Sequence, residues 1–246
     1  MPQPLEKSSE LIARINAMIW SALDEAEIAD LEREIALIER AGFYSQAKQL
    51  EGMLAGLHGD SEEVHRKFNA ALLSSGYDKV VRTNYAQALA NLHHLREAVE
   101  QLILAVEQAP DDINLLWLAR KIYEDAYYVD GAERLTEQLC LLGQENRISV
   151  DMTNKLVRMR ELLDEAGANW QDVSERIEQA SSALLPLGLR VASISESFSE
   201  CTALLEFNIK GDIDVVLQAE EAIHQTIAKQ PYSPADKMMA FACFPV

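Results

Sequence analysis

The chain has 246 residues, enough for one large domain or two modest ones, and its abundance of Leu, Ala, Glu and Gln favours α-helix. Its 40 acidic residues outnumber its 22 basic residues, and the net charge of −18 is spread along the whole sequence. Such a charge repels phosphate backbones and anionic membrane surfaces, which argues against nucleic-acid and membrane partners. It suits a basic protein partner, although an acidic surface also serves solubility alone.

The amino-terminal sequence MPQPLEKSSELIARINAMIW carries charges inside every apolar run, and no stretch of the chain has the length of a membrane span. The three cysteines, Cys140, Cys201 and Cys243, are unpaired in number and lack metal-type spacing. They indicate buried thiols in a reducing compartment. These features predict a cytoplasmic protein.

Residues 8–41 are expected to form two helices. The first begins at Ser8 or Ser9 as its N-cap. Apolar side chains then recur at helical spacing: Leu11, Ile15, Met18, Ile19 and Leu23. The second, EIADLEREIALIERAG, stops at Gly42, a residue type common after a helix end. The pair is either a diverged repeat or a cap that covers the end of a repeat array.

Residues 45–146 show small and apolar residues with a period of 34. Four aligned columns are Val64, Ala98 and Ala132; Phe68, Leu102 and Thr136; Ala55, Leu89 and Tyr123; and Gly52, Ala86 and Arg120. Each unit is expected to be a helix, a turn and a second helix. A small residue near the start of the second helix allows a close approach to the first. Neighbouring units then stack, because one hairpin cannot bury its apolar face alone.

These columns resemble the tetratricopeptide repeat. Its best copy is residues 79–112, with a weaker copy at 45–78 and the weakest at 113–146. The resemblance implies that the first helix of each hairpin lines a concave groove, which would carry Gln46, Gln49, Met53, Thr83, Gln87, Asn91, Asn114, Trp117, Lys121 and Asp125. Within that set, Gln87, Asn91, Trp117 and Lys121 are the predicted partner-binding residues. Trp117 either anchors the partner or packs between neighbouring hairpins.

Beyond the repeats, residues 149–166 and 169–187 predict another helical pair, with Ser149 or Asp151 as the first cap and Gly167 at the helix end. After Gly188 the pattern changes to strand, strand, helix and strand, which predicts a small α+β layer, for which a ferredoxin-like arrangement is one candidate. The fold class is therefore mainly α, an α-solenoid followed by this module. The predicted divisions are 1–42, 43–146, 147–188 and 189–246.

No motif for catalysis, phosphate binding or metal coordination occurs in the chain. His93 and His94 are adjacent, and neighbouring positions on a helix point in different directions, so they do not suit one metal ion. The remaining histidines stand apart in the sequence. We therefore expect no enzymatic activity and no cofactor.

The sequence favours a non-enzymatic protein that binds another protein or peptide segment through its solenoid. Within that class, an acidic inhibitor, immunity protein, adaptor or chaperone for a basic partner is the most specific hypothesis. The alternative is a regulatory protein whose C-terminal α+β module binds a small ligand.

Overall fold

The computed structural model describes residues 4–18, 24–189 and 191–246. It divides into two compact units, residues 1–110 and 111–246. The boundary falls inside the predicted repeat region 43–146. Within the described residues, the predicted fold class is confirmed: helical hairpins come first and a small three-stranded sheet with one helix follows.

The first unit contains three successive helical pairs. Its helices are α1 (Pro4–Met18), α2 (Glu25–Arg40), α3 (Tyr44–Leu57), α4 (Ser61–Ser75), α5 (Lys79–Asn91) and α6 (Leu95–Gln108). The helix α3 packs against its hairpin partner α4 and also against α1, α2 and α5. The helix α5 likewise contacts α3, α4 and α6. Each pair therefore stacks on the one before it, as a helical repeat requires.

The predicted start of the first helix was wrong. The helix α1 begins at Pro4, so Ser8 and Ser9 lie inside it and neither is its N-cap. Proline is well suited to the first turn of a helix because its missing N–H has no intrahelical partner there. Of the predicted apolar series, Leu11, Ile15 and Met18 are buried, whereas Ile19 and Leu23 lie outside the described residues.

The turn inside each hairpin repeats with the 34-residue period. Gly59, His93 and Tyr127 all have positive φ, at 74°, 61° and 59°. The residue after each of them donates its N–H to a carbonyl five residues earlier: Asp60 to Ala55 at 3.1 Å, His94 to Leu89 at 3.0 Å and Tyr128 to Tyr123 at 2.8 Å. This left-handed closure satisfies carbonyls at the helix end. The period found in the sequence is thus also a period of backbone geometry.

The predicted columns of small residues lie at helix contacts. Val64, Ala98 and Ala132 are all fully buried. In the third hairpin, where Arg120 and Thr136 replace the small and apolar residues of the earlier copies, Arg120 Nε donates a hydrogen bond to Thr136 Oγ1 at 2.9 Å. A polar contact therefore occupies the position of an apolar one, which explains why this copy is the weakest in sequence.

The second unit combines four helices with a sheet and a fifth helix. Its helices are α7 (Ile113–Asp125), α8 (Val129–Leu141), α9 (Val150–Ala166), α10 (Trp170–Ser182) and α11 (Ile213–Ala228). The helices α7 and α8 form a hairpin, α9 packs on α8, and α10 packs on α11. Ser149 caps α9 and Asp212 caps α11 through their side chains, and Gly167 ends α9 in the left-handed conformation. The expected boundaries at Ser149 and Gly167 are confirmed.

The sheet has the order β1 (Val191–Phe198), β2 (Ala203–Ile209) and β3 (Met239–Pro245). The strands β1 and β2 are antiparallel, whereas β2 and β3 are parallel and connected through α11. Because the two parallel strands are direct neighbours, this is an unsplit β-α-β unit. A ferredoxin-like arrangement, with its split β-α-β units, does not describe it.

Two of the three cysteines differ from the prediction. Cys243 is buried in β3, and burial raises the pKa of its thiol to about 11, with the charge of Glu220 adding to the effect. Cys140 and Cys201 are exposed, although buried thiols were expected. Cys140 lies at the C-terminal end of α8 and Cys201 in the turn between β1 and β2, where neither side chain is covered.

Candidate binding site

A row of amide side chains joins α3 and α5 in the first unit. Asn84 Nδ2 on α5 donates to Gln49 Oε1 on α3 at 2.9 Å. One turn further along α5, Gln87 Nε2 donates to Asn91 Oδ1 at 3.0 Å. Gln49 is buried, whereas Asn84, Gln87 and Asn91 keep part of their surface exposed. An amide carries both donors and acceptors, so this row can bond the main chain of a bound segment.

The other two predicted site residues lie on α7 in the second unit. Trp117 is partly buried, and the guanidinium of Arg147 lies 4.7 Å from its ring centroid, a cation–π contact. Lys121 is exposed and pairs with Asp125 at 2.7 Å. The structure thus brings Gln87 together with Asn91, and places Trp117 one helical turn from Lys121.

The indole Nε1 of Trp117 is buried, and no acceptor contacts it in the part of the chain that the structure describes. A buried N–H without an acceptor is uncommon because the lost hydrogen bond to water is not replaced. One face of the ring is already occupied by Arg147. Trp117 is therefore part of a small stacked pair, an arrangement that the sequence did not reveal because Arg147 is thirty positions further along the chain.

A histidine cluster in the first unit was also missed by the sequence. His65 Nδ1 lies 2.5 Å from Tyr85 Oη, and its Nε2 lies 3.5 Å from a carboxylate oxygen of Glu97. His94 Nδ1 approaches the other oxygen of Glu97 at 3.5 Å. The hydrogen bond from His94 is the main reason that the pKa of Glu97 is lowered, while burial raises the pKa of Tyr85 to about 12. These residues are distant in sequence, and the stacking of neighbouring 34-residue hairpins brings them together.

A chain of alternating charges crosses the second unit. Arg120, only 2% exposed, donates from Nη1 to Glu124 Oε2 at 3.0 Å. Lys155 Nζ lies 2.8 Å from Glu124 Oε1 and 2.6 Å from Glu196 Oε2. The chain connects α7, α9 and β1, so it ties the sheet to the helices.

The central members of this chain have shifted pKa values. Burial raises the pKa of Glu196, and the ion pair with Lys155 offsets this only in part. Burial opposes the charge on Lys155, but the attraction of Glu196 and Glu124 outweighs it, so the pKa of Lys155 is raised. Tyr127 is fully buried, which raises the pKa of its hydroxyl well above the ordinary value, and the charge of Glu196 acts in the same direction.

Neither a membrane span nor a metal centre is found in residues 4–18, 24–189 and 191–246. None of their helices is both long and apolar enough to cross a bilayer, and no three His, Cys, Asp or Glu side chains are grouped as metal ligands.

Comparison of the chain with protein-family models, curated proteins and solved structures gave no match in any of the three.

Proposed function

We propose that this chain is a non-enzymatic binding protein whose tetratricopeptide-like hairpins hold an extended segment of a partner protein. The observation that carries the proposal is the amide row on α3 and α5, with Gln49 bonded to Asn84 and Gln87 bonded to Asn91. Exchanging these mutual bonds for bonds to a peptide main chain costs little, because the number of hydrogen bonds is kept. Such contacts suit an extended segment of varied sequence.

The partner segment is proposed to be basic. The chain carries a net charge of −18, so long-range attraction raises the association rate of a positively charged partner and disfavours acidic ones. This property fits an adaptor, inhibitor, immunity protein or chaperone acting in the cytoplasm. Within the second unit, Trp117 and Lys121 are proposed as a separate contact, in which the partly exposed Trp117 ring packs against the partner beside the exposed Lys121.

Binding of short basic, neutral and acidic peptides, measured by fluorescence anisotropy at low and high salt, tests the proposal. Basic peptides are expected to bind best and to weaken as salt screens the charges. The double variant Gln87→Ala, Asn91→Ala is expected to lose about tenfold in affinity. Asn69→Ala is the matched control, because Asn69 is an exposed amide on the outer helix α4 of the same unit.

Trp117→Ala tests the second part of the proposal. If Trp117 contacts the partner, its removal should cost roughly 2 kcal/mol of binding free energy, as for other large interface side chains. Circular dichroism on the same sample distinguishes loss of contact from loss of folding. If a folded Trp117→Ala protein binds with full affinity, α7 is not part of the binding surface. If the Gln87→Ala, Asn91→Ala variant binds with unchanged affinity, the amide row is not part of it.

A further inference from the structure

The strand β3 lies at one side of the sheet, with β2 as its only neighbour in the described sheet. Along a strand, the backbone polar groups of successive residues point alternately to the two sides. Met238 O accepts from Ala203 N at 2.7 Å and Val246 N donates to Ile209 O at 3.1 Å, so the even-numbered residues face β2. The backbone groups of Phe241, Cys243 and Pro245 therefore face the outer side.

Side chains of α11 occupy two of these outward groups. His224 Nε2 lies 3.2 Å from Phe241 O, and because a carbonyl only accepts, Nε2 carries the proton and donates it. Glu220 Oε2 accepts from Cys243 N at 3.1 Å. Glu220 and His224 are four residues apart, so they project from the same face of α11. Two side chains on successive turns thus bond two outward positions of the strand.

The third outward position is closed by a different device. Pro245 has no N–H, so it offers no donor to an approaching strand. At three consecutive outward positions of β3, one backbone group is therefore withheld from strand pairing: the carbonyl of Phe241, the N–H of Cys243 and the nitrogen of Pro245.

The composition of β3 explains what this closure is for. Its sequence, MAFACFP, is apolar and uncharged, and an exposed edge of that kind pairs readily with another copy of itself. The opposite edge strand β1 carries three serines and Glu196 instead. Because β3 itself is uncharged, its residues do not repel each other when two identical copies align antiparallel about a two-fold axis, whereas the net charge of −18 on each chain opposes association until salt screens it.

We propose that β3 is a latent pairing edge for a second copy of this chain, and that Glu220 and His224 form a guard that keeps it closed. The guard acts through hydrogen bonds to the backbone of β3. Its removal frees one carbonyl and one N–H on the same side of the strand. A second copy can then satisfy both through an antiparallel β3–β3 pair.

The test is the mass of the full chain in solution, measured by sedimentation velocity over a concentration series in reducing buffer, because Cys140 and Cys201 are exposed. The wild type is expected to remain at 27.5 kDa. The double variant Glu220→Ala, His224→Ala is expected to double its mass with increasing concentration. A wild type that already dimerises through β3, or a folded double variant that stays monomeric, would overturn the proposal.

Two control variants isolate the hydrogen bonds. Glu221→Ala, Gln225→Ala removes a neighbouring carboxylate and amide that bond each other on the same helix, and it should stay monomeric. Glu220→Gln, His224→Gln removes the carboxylate charge but keeps an acceptor and a donor, so it should also stay monomeric. If either control dimerises, charge or helix stability determines the oligomeric state rather than the guard, and the proposal would fail.

The single variants test the proposal if the double variant does not fold. If the double alanine variant loses its helical circular dichroism, Glu220→Ala and His224→Ala are compared separately, since each keeps one guard bond. Self-association of either one in a folded state supports the guard. Monomers of both, at concentrations where the chain is folded, would overturn it.

Discussion

Gly52 on α3 and Phe68 on α4 touch so closely that a Cβ atom added at Gly52 would lie 2.7 Å from Phe68 Cδ2. Phe68 is fully buried and its ring stacks on Tyr85, with centroids 4.8 Å apart, so it has little freedom to move aside. We expect Gly52→Ala to lower the free energy of unfolding by about 1–3 kcal/mol through overpacking. Chemical denaturation measures the change.

Gly56, one turn further along α3, provides a matched control. A Cβ at Gly56 would meet Val64 Cγ2 at 3.8 Å, an ordinary contact. Gly56→Ala should therefore raise the free energy of unfolding by about 0.5–1 kcal/mol, because alanine is the better helix former. Opposite signs for the two substitutions are the expected result. Equal effects would mean that the α3–α4 contact is not as close as the structure has it.

The hairpins were predictable because the residues at their helix contacts recur every 34 positions in the sequence. Gly52 and Ala86 fall in one column of the 34-residue alignment and Phe68 and Leu102 in another, so small and large residues identified the helix contact. Arg120 and Thr136 fall in the same columns, but their hydrogen bond cannot be inferred from residue size. The start of α1 at Pro4 was missed because Ser8 and Ser9 are also good capping residues by type.

The polar clusters were not predictable because their members come from distant parts of the chain. Lys155 meets Glu196 across 41 positions, and the guard residues Glu220 and His224 meet backbone groups whose direction depends on the pairing of β3 with β2. Sequence periodicity gives neither the order of the strands nor which edge is free. Residues that change together could supply that information, but they cannot be identified from one sequence.

Ala98 on α6 is fully buried, at the position where the 34-residue repeat predicts the close approach of α5 and α6. We expect Ala98→Leu to lower the free energy of unfolding by about 1–3 kcal/mol, since the added methyl groups have no space. Arg96→Leu on the same helix is the control, because the Arg96 side chain is 60% exposed and its replacement should change stability by no more than about 0.5 kcal/mol. An unchanged thermal transition for Ala98→Leu would contradict the close approach.

Lys155 is expected to matter more for stability than its partner Glu196. Lys155→Met leaves the largely buried Glu196 carboxylate without its cation, at a cost of about 3–5 kcal/mol at neutral pH. Glu196→Gln keeps the shape of the side chain, and Lys155 retains Glu124 at 2.8 Å, so a smaller loss is expected. Chemical denaturation of both variants at pH 7 shows which of them loses more free energy of unfolding. A larger loss for Glu196→Gln would contradict it.

The stability of Lys155→Met is also expected to depend on pH. The pKa of Glu196 is already raised in the folded protein, and loss of Lys155 raises it further. Just above the ordinary value of 4.5, the folded state therefore binds more protons than the unfolded state, and the free energy of unfolding falls as pH rises. Acidification towards pH 5 should restore part of the stability that Lys155→Met loses at pH 7. The Glu196→Gln, Lys155→Met double variant should lack this recovery.

His93 gives the opposite pH dependence. Burial of its ring, with a further contribution from the positive charge of His94, lowers the pKa of His93 to about 4 from an ordinary value of 6.5. Between these two values the unfolded state binds more protons than the folded state, so the free energy of unfolding falls as pH is lowered through that window. The loss between pH 7 and pH 4 that is due to His93 should be about 2–3 kcal/mol.

His93→Asn tests this dependence, because asparagine tolerates the left-handed conformation that His93 adopts at φ 61° and does not titrate. Other groups also titrate in the same range, so the informative quantity is the difference between wild type and variant at pH 7 and again near pH 4.5. His58→Asn, at an exposed position, controls for the loss of an imidazole as such. If His93→Asn keeps the slope of the wild type, the imidazole of His93 is not held neutral by the fold, and the turn at residue 93 contributes nothing to the sensitivity to acid.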